Sequence, residues 1–324
     1  MFAKYKRKII YSVIFGAIVY LGLSFYASFS QLAVAFGKFQ WLMFIPVLLL
    51  SLANYAARYL KYQYYTNVLG IKIEWKMNML IFMSAFVMSV TPGKLGEVFK
   101  SYLLKEQNGT PISKSAPIIL AERITDFISL IMLSIFSALL FGYDQRLIIV
   151  VGIFFVLVVI VLSSKKISHY IIEQLEKIKF ISKFSVKIHT AYDSIYSLIK
   201  FKHLLVAIII SLFAWFFECY GTYIVINSFG IENLIHVDIF ASTFIYGFAT
   251  IAGSVTMLPG GLGATDASMT YLFISLKNIS ESVSVAATLL VRIATLWFAV
   301  IIGIIAIVFY QKISHRNLNE LAVQ

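Results

Sequence analysis

Apolar residues fall into eight runs divided by short polar stretches. Six of them read as membrane spans: Ile9–Phe29, Trp41–Ala57, Pro117–Phe141, Leu147–Ser163, Leu204–Ile226 and Val283–Phe309. A helix needs about 20 mostly apolar residues to cross the hydrocarbon core. The other two runs, Met77–Val90 and Ile239–Leu258, each lead into a Pro-Gly element, and the first holds only 14 residues, short for a crossing. The composition agrees. The chain is 60% apolar and 13% charged, with a mean hydropathy of +0.88, against about 25% charge in soluble domains. The first run is too long for a signal-peptide core and no small-residue cleavage site follows it, so it is read as a retained span.

The two Pro-Gly elements are altered copies of each other. Thr91-Pro-Gly-Lys-Leu-Gly-Glu-Val-Phe-Lys100 corresponds to Leu258-Pro-Gly-Gly-Leu-Gly-Ala-Thr-Asp266. Each precedes a Tyr-Leu segment and then an arginine inside an apolar run, Arg123 or Arg292. The prolines lie 167 positions apart and the arginines 169. Repeats of this kind mark transporters with a central site.

Lysine and arginine choose the topology, because cytoplasmic loops carry the positive excess. If all eight runs cross, with the N-terminus inside, 11 basic residues lie inside and 14 outside. If each run before a Pro-Gly element turns back as a hairpin, the split becomes 22 inside against 3 outside, namely Lys38, Arg146 and Lys277. The expected fold is therefore an all-α polytopic membrane protein, an inverted repeat with three spans and one re-entrant helical hairpin in each half. Repeat 1 covers 1–163, with its hairpin near 77–105. A basic connector covers 164–202, repeat 2 covers 203–312 with its hairpin near 239–275, and 313–324 is a polar tail. Both termini are then cytoplasmic. In the connector, Ile167, Ile171, Leu175 and Ile178 share one helical face, as do Ile188, Tyr192, Ile195 and Ile199. With lysines elsewhere, these faces suit interfacial helices on an anionic inner leaflet; a plain charged linker is the alternative. The net charge of +12 is explained by orientation and is not read as a nucleic-acid signal.

The candidate chemistry lies at the repeated elements. Pro92 and Pro259 break helices, and Gly93, Gly96, Gly260, Gly261 and Gly263 allow tight turns and close backbone approach. A helix restarting there offers unpaired N–H groups to an anion. Glu122, Arg123 and Asp126 share one face of a span, and Arg292 lies inside the last. Intramembrane charges usually face a cavity. For Arg123 a ligand contact and a salt bridge with Asp126 both stand. For Arg292 the partner is a bound anion or a distant acid such as Glu218. Lys94, Glu97 and Lys100 lie on the first hairpin and Asp266 on the second; Glu97 suits a helix cap or a substrate contact. Asn54 and Arg58 read as an anchor near the inner end of the second span, or else as cavity lining. No histidine lies at a span centre, Cys219 is alone, and no nucleotide, metal-protease or hydrolase motif occurs. No metal, cofactor or catalytic residue is expected.

At Pro92–Leu104, Ala121–Asp126, Pro259–Gly263 and Val291–Ile293 the chain resembles the membrane part of lysylphosphatidylglycerol synthase/flippase proteins, and more broadly the flippase-like family that also occurs without a synthase domain. Lys100 stands where that pattern often has arginine, and Asp266 where it often has glutamate. No aminoacyl-transferring domain, and so no synthesis of an aminoacyl lipid, is expected. The resemblance implies translocation of a phosphate-bearing lipid, a modified phospholipid or a polyprenyl-phosphate-linked sugar, in the cell membrane. Arg123, Arg292 and the two helix N-termini would hold the head group. Two other classes stay open: an embedded transferase with Glu97, Glu122 or Asp126 as base, and a non-catalytic partner docking a cytosolic transferase on 164–202.

Overall fold

The computed structural model describes residues 18–22, 28–91, 96–141, 146–177, 185–230 and 237–321. Pro92, Gly93 and Lys94 lie outside them, as does most of the run Ile9–Phe29. The described chain is helical. It comprises α1 (Phe29–Lys38), α2 (Phe44–Val68), α3 (Trp75–Ser84), α4 (Phe99–Asn108), α5 (Pro117–Phe141), α6 (Arg146–Ser163), α7 (Lys165–Glu176), α8 (Ser185–Leu198), α9 (Phe201–Asn227), α10 (Ile239–Val255), α11 (Ala264–Lys277), α12 (Glu281–Arg292) and α13 (Phe298–Leu321). A π turn, Ile293–Trp297, joins the last two.

Four stretches are long and apolar enough to cross a membrane: Trp41–Val68, Ile112–Leu140, Phe201–Asn227 and Glu281–Ser314. A fifth is added if Gly152–Ser163 and Lys165–Gln174, bent by 85°, count as one. The described residues thus give four or five of the six expected spans. α3 and α10, the helices before the two Pro-Gly elements, are too short to cross, as the sequence indicated for the first.

The second span runs past Ala57 to Val68. Its charges do not end it because they turn inward: Lys61 is 1% exposed, while Leu49, Leu52 and Leu60 face outward. Phe29–Lys38, from the end of the first expected span toward the second, is helical.

α2 and α9 form the centre of the bundle. Asn54 Nδ2 donates to the Ala214 carbonyl at 2.7 Å and Lys61 Nζ to Ser211 Oγ at 2.7 Å. Around this pair the halves exchange partners. α3, in the first half, packs on α13 in the second, and α10 packs on α5 in the first. Both crossings use a glycine. A Cβ on Gly303 would lie 2.5 Å from the Val87 backbone nitrogen, and one on Gly247 would lie 2.3 Å from Ser134 Oγ. Small residues let membrane helices approach this closely.

The connector departs from its expected role. On α8, Tyr192, Ile195 and Leu198 are buried, packed on the turn Ile112–Ser115 and the start of α5. The apolar face read as lipid-binding there is covered by protein, whereas α7 keeps Ile167 and Tyr170 exposed.

Overpacking a tight crossing costs about 1–3 kcal/mol. Gly303→Ala is expected to lower the melting temperature of the detergent-solubilised protein, because its obstacle is backbone. Gly37→Ala, where nothing lies within 4 Å, is expected to leave it unchanged. Equal melting of the two variants would contradict the close crossing.

Candidate functional site

Beside the first Pro-Gly element, the Thr91 hydroxyl donates to the Met88 carbonyl at 2.6 Å and accepts from the Gly96 N–H at 3.0 Å. A side chain at Gly96 would strike Met88 Cβ and Thr91 Oγ1, both at 2.5 Å. The turn delivers Glu97 and Lys100 to α5. Arg123 Nη2 donates to both Glu97 carboxylate oxygens at 2.6 Å. Lys100 Nζ donates to Glu122 Oε2 at 2.5 Å, lies 3.8 Å from Glu97, and sits over the rings of Tyr62 and Phe82. Arg123 Nη1 is 3.8 Å from Asp126, whose other oxygen receives Lys61 at 2.5 Å. Six charged side chains, three of each sign, form one chain of contacts. The attraction is strong because the surroundings exclude water, and the desolvation penalty is equally large.

The second copy is simpler. Gly260, Gly261 and Gly263 take φ of 60°, 68° and 85°, a left-handed backbone open to glycine with little strain. Asp266 Oδ2 accepts the Gly263 N–H at 2.7 Å, capping α11, and its Oδ1 lies 3.0 Å from Arg292 Nε. That contact is an ion pair without hydrogen-bond alignment, since both atoms lack an aligned partner. Arg292 Nη2 donates to the Gly260 carbonyl. The arginine therefore clasps the break and the acid that caps it.

The second copy walls a cavity of about 730 Å³ through Leu258, Gly260 and Gly261. Arg123 and Arg292 line it from opposite halves. Arg58 and Glu218 line it from α2 and α9, and Tyr55, Phe86, Phe127, Phe154, Trp215 and Tyr246 supply its aromatic wall. The Tyr246 hydroxyl donates to Glu218 Oε2. The Tyr55 hydroxyl lies 3.4 and 3.2 Å from the Ala294 and Thr295 carbonyls of the π turn.

Of the residues singled out from sequence, Glu97, Lys100, Glu122, Arg123 and Asp126 come together, and Asp266 meets Arg292. Glu97, read chiefly as a cap, is the main partner of Arg123, with Asp126 more distant. Arg292 pairs with Asp266 rather than Glu218. Arg58, read chiefly as an interfacial anchor, lines the cavity. Lys61, Trp215 and Tyr246 were missed. One signal for the pairing was present: Glu97 precedes Arg123 by 26 residues, and Asp266 precedes Arg292 by the same interval.

Fold and site define a polytopic helical membrane protein with a charged cavity between its two halves. The chain belongs to the family described as the lysylphosphatidylglycerol synthase TM region, which residues 10–303 match. It is 28% identical over 254 residues to a UPF0104 membrane protein of Methanothermobacter thermautotrophicus, covering 70% of this chain and 72% of the relative. It is 28% identical over 234 residues to one from Methanocaldococcus jannaschii, covering 72% of this chain and 96% of the relative.

Removing one member of a buried ion pair strands the other, at about 3–5 kcal/mol. Glu97→Gln and Arg123→Gln are each expected to lower the melting temperature in detergent, and the double variant is expected to fall by less than their sum. Asp266→Asn and Arg292→Gln should behave likewise. Strict additivity in both cycles would show that the pairs do not couple.

Proposed function

We propose that this protein is a lipid translocator of the cell membrane that moves a phosphate-bearing lipid without a covalent step. The observation that carries this reading is the cavity that Arg123 and Arg292 face from opposite halves, with the second Pro-Gly element in its wall. It is large enough for a lipid head group, holds three arginines and one carboxylate in its wall, and is otherwise mostly apolar. Its apolar side supports a lipid over a soluble solute. Val150 and Phe154, one turn apart on α6, and Met257 beside the second break all line it, yet are 63%, 59% and 70% exposed. Acyl or prenyl chains would stay in the bilayer along that side while the head group enters.

In this proposal α3–α4 and α10–α11 are re-entrant hairpins entering from opposite faces, and the two halves form an inverted repeat. The lysine and arginine distribution supports cytoplasmic termini and a cytoplasmic connector, with α7 on the anionic inner leaflet. Phosphatidylglycerol and a polyprenyl-phosphate-linked sugar both satisfy the chemistry.

Vesicles holding the purified protein and a fluorescent phosphatidylglycerol test transport. Dithionite is expected to quench inner-leaflet label only when protein is present, and Thr250→Trp, which puts an indole into the cavity, should slow this. The recovered lipid should be unchanged in mass. Unaltered quenching with Thr250→Trp would sink the reading, and a new lipid mass would replace it with an enzyme.

Topology is tested separately in a Cys219→Ser background. Asn108→Cys and Lys187→Cys are expected to resist a membrane-impermeant maleimide in intact cells. External labelling of both would rule out the hairpin arrangement.

A further inference from the structure

Three arginines face the cavity, and two are already engaged. Glu97 takes Arg123, and Asp266 with the Gly260 carbonyl takes Arg292. The anion expected at the N-terminus of α11 is likewise the protein's own Asp266. The motif chemistry that would suit an outside anion is thus largely satisfied from within.

Arg58 differs. Its guanidinium faces the cavity and makes no hydrogen bond or ion pair among the described residues. Its position is fixed by the central helix pair. Asn54, one turn earlier on α2, binds the Ala214 carbonyl. The next residue, Trp215, then places its ring 6.0 Å from the guanidinium carbon. Cation–π attraction to the indole face steadies the guanidinium while leaving its donor fork open, the form in which arginine grips phosphate with two parallel hydrogen bonds. Asp126, Glu97, Glu218 and Glu122 act on Arg58 through space. The first two and Glu122 are tied to Lys61, Arg123 and Lys100, respectively. Glu218 shares the cavity, three residues along α9 from Trp215, and accepts the Tyr246 hydroxyl.

Building on the translocation reading, we infer that Arg58, and not either motif arginine, meets the phosphoryl group of the ligand, while Glu218 accepts from a hydrogen-bond donor on the same head group. Arg58 is then the residue that sets preference for an anionic head group. Arg123 and Arg292 shape the space around it.

Native mass spectrometry of the full chain in mild detergent tests this with phosphatidylglycerol, phosphatidylcholine and inorganic phosphate. The wild type is expected to prefer phosphatidylglycerol. Arg58→Gln should weaken that binding roughly 10- to 100-fold, the worth of a charge-assisted contact, and remove the preference. Arg58→Lys should restore part of it. Without lipid, Arg58→Gln should melt like wild type, because no internal pair is lost. A retained preference for phosphatidylglycerol in Arg58→Gln overturns the assignment, as does a melting loss equal to that of Arg123→Gln. Inorganic phosphate binding as tightly as the lipid, in an Arg58-dependent way, would overturn the lipid source in favour of a free anion. Arg58-dependent lipid binding without transport in vesicles would remove the translocation reading and leave this one standing. Transport unaffected by Arg58→Gln would remove this one alone.

Discussion

A charge surrounded by hydrocarbon and protein has to find an opposite charge, and that requirement organises this molecule. Lys61, Glu97, Lys100, Glu122, Arg123 and Asp126 come from α2, the first Pro-Gly turn, α4 and α5. None can be moved without stranding another. The network therefore fixes where the turn sits relative to two long helices, and with it one wall of the cavity. Apolar packing alone would tolerate sliding along the helix axes; paired charges do not.

The second half meets the same requirement with fewer parts. Asp266 and Arg292 form one ion pair, and the backbone supplies the remaining partners, the Gly263 N–H and the Gly260 carbonyl. The two sides of the cavity are therefore equivalent in plan and unequal in stiffness. The first is braced by side chains from several helices. The second is braced chiefly by its own turn, next to a π turn whose carbonyls face the Tyr55 hydroxyl.

Much of this was legible in the residues. α5 occupies Pro117–Phe141 in both sequence and structure, because proline starts it and polar residues flank it. α9 and α10 start within three residues of their expected positions because polar residues, Lys200 and Asp238, precede them. Charge misled where local composition could not reveal partners. Arg58 and Lys61 looked like the polar end of a span, but Lys61 is answered by Asp126, 65 positions away, and Arg58 lies over Trp215, far off in sequence. The acid–arginine pairing was visible in the repeat itself, since both acids and both arginines obey the same offset; matching prolines and arginines alone overlooked it. Covering of the α8 face by the start of α5 could not be read, because an amphipathic helix docked on protein has the same pattern as one docked on lipid.

The exchange of partners between halves has a consequence for how the chain is made. α3 is synthesised early, yet the surface that covers it belongs to α13, the last helix. α5 in turn waits for α10. Neither half can complete its own packing while it is the only part present. A late segment thus seals an early one, and a chain ending before Phe298 would leave the face around Phe86 and Val87, which Gly303 meets, without its cover.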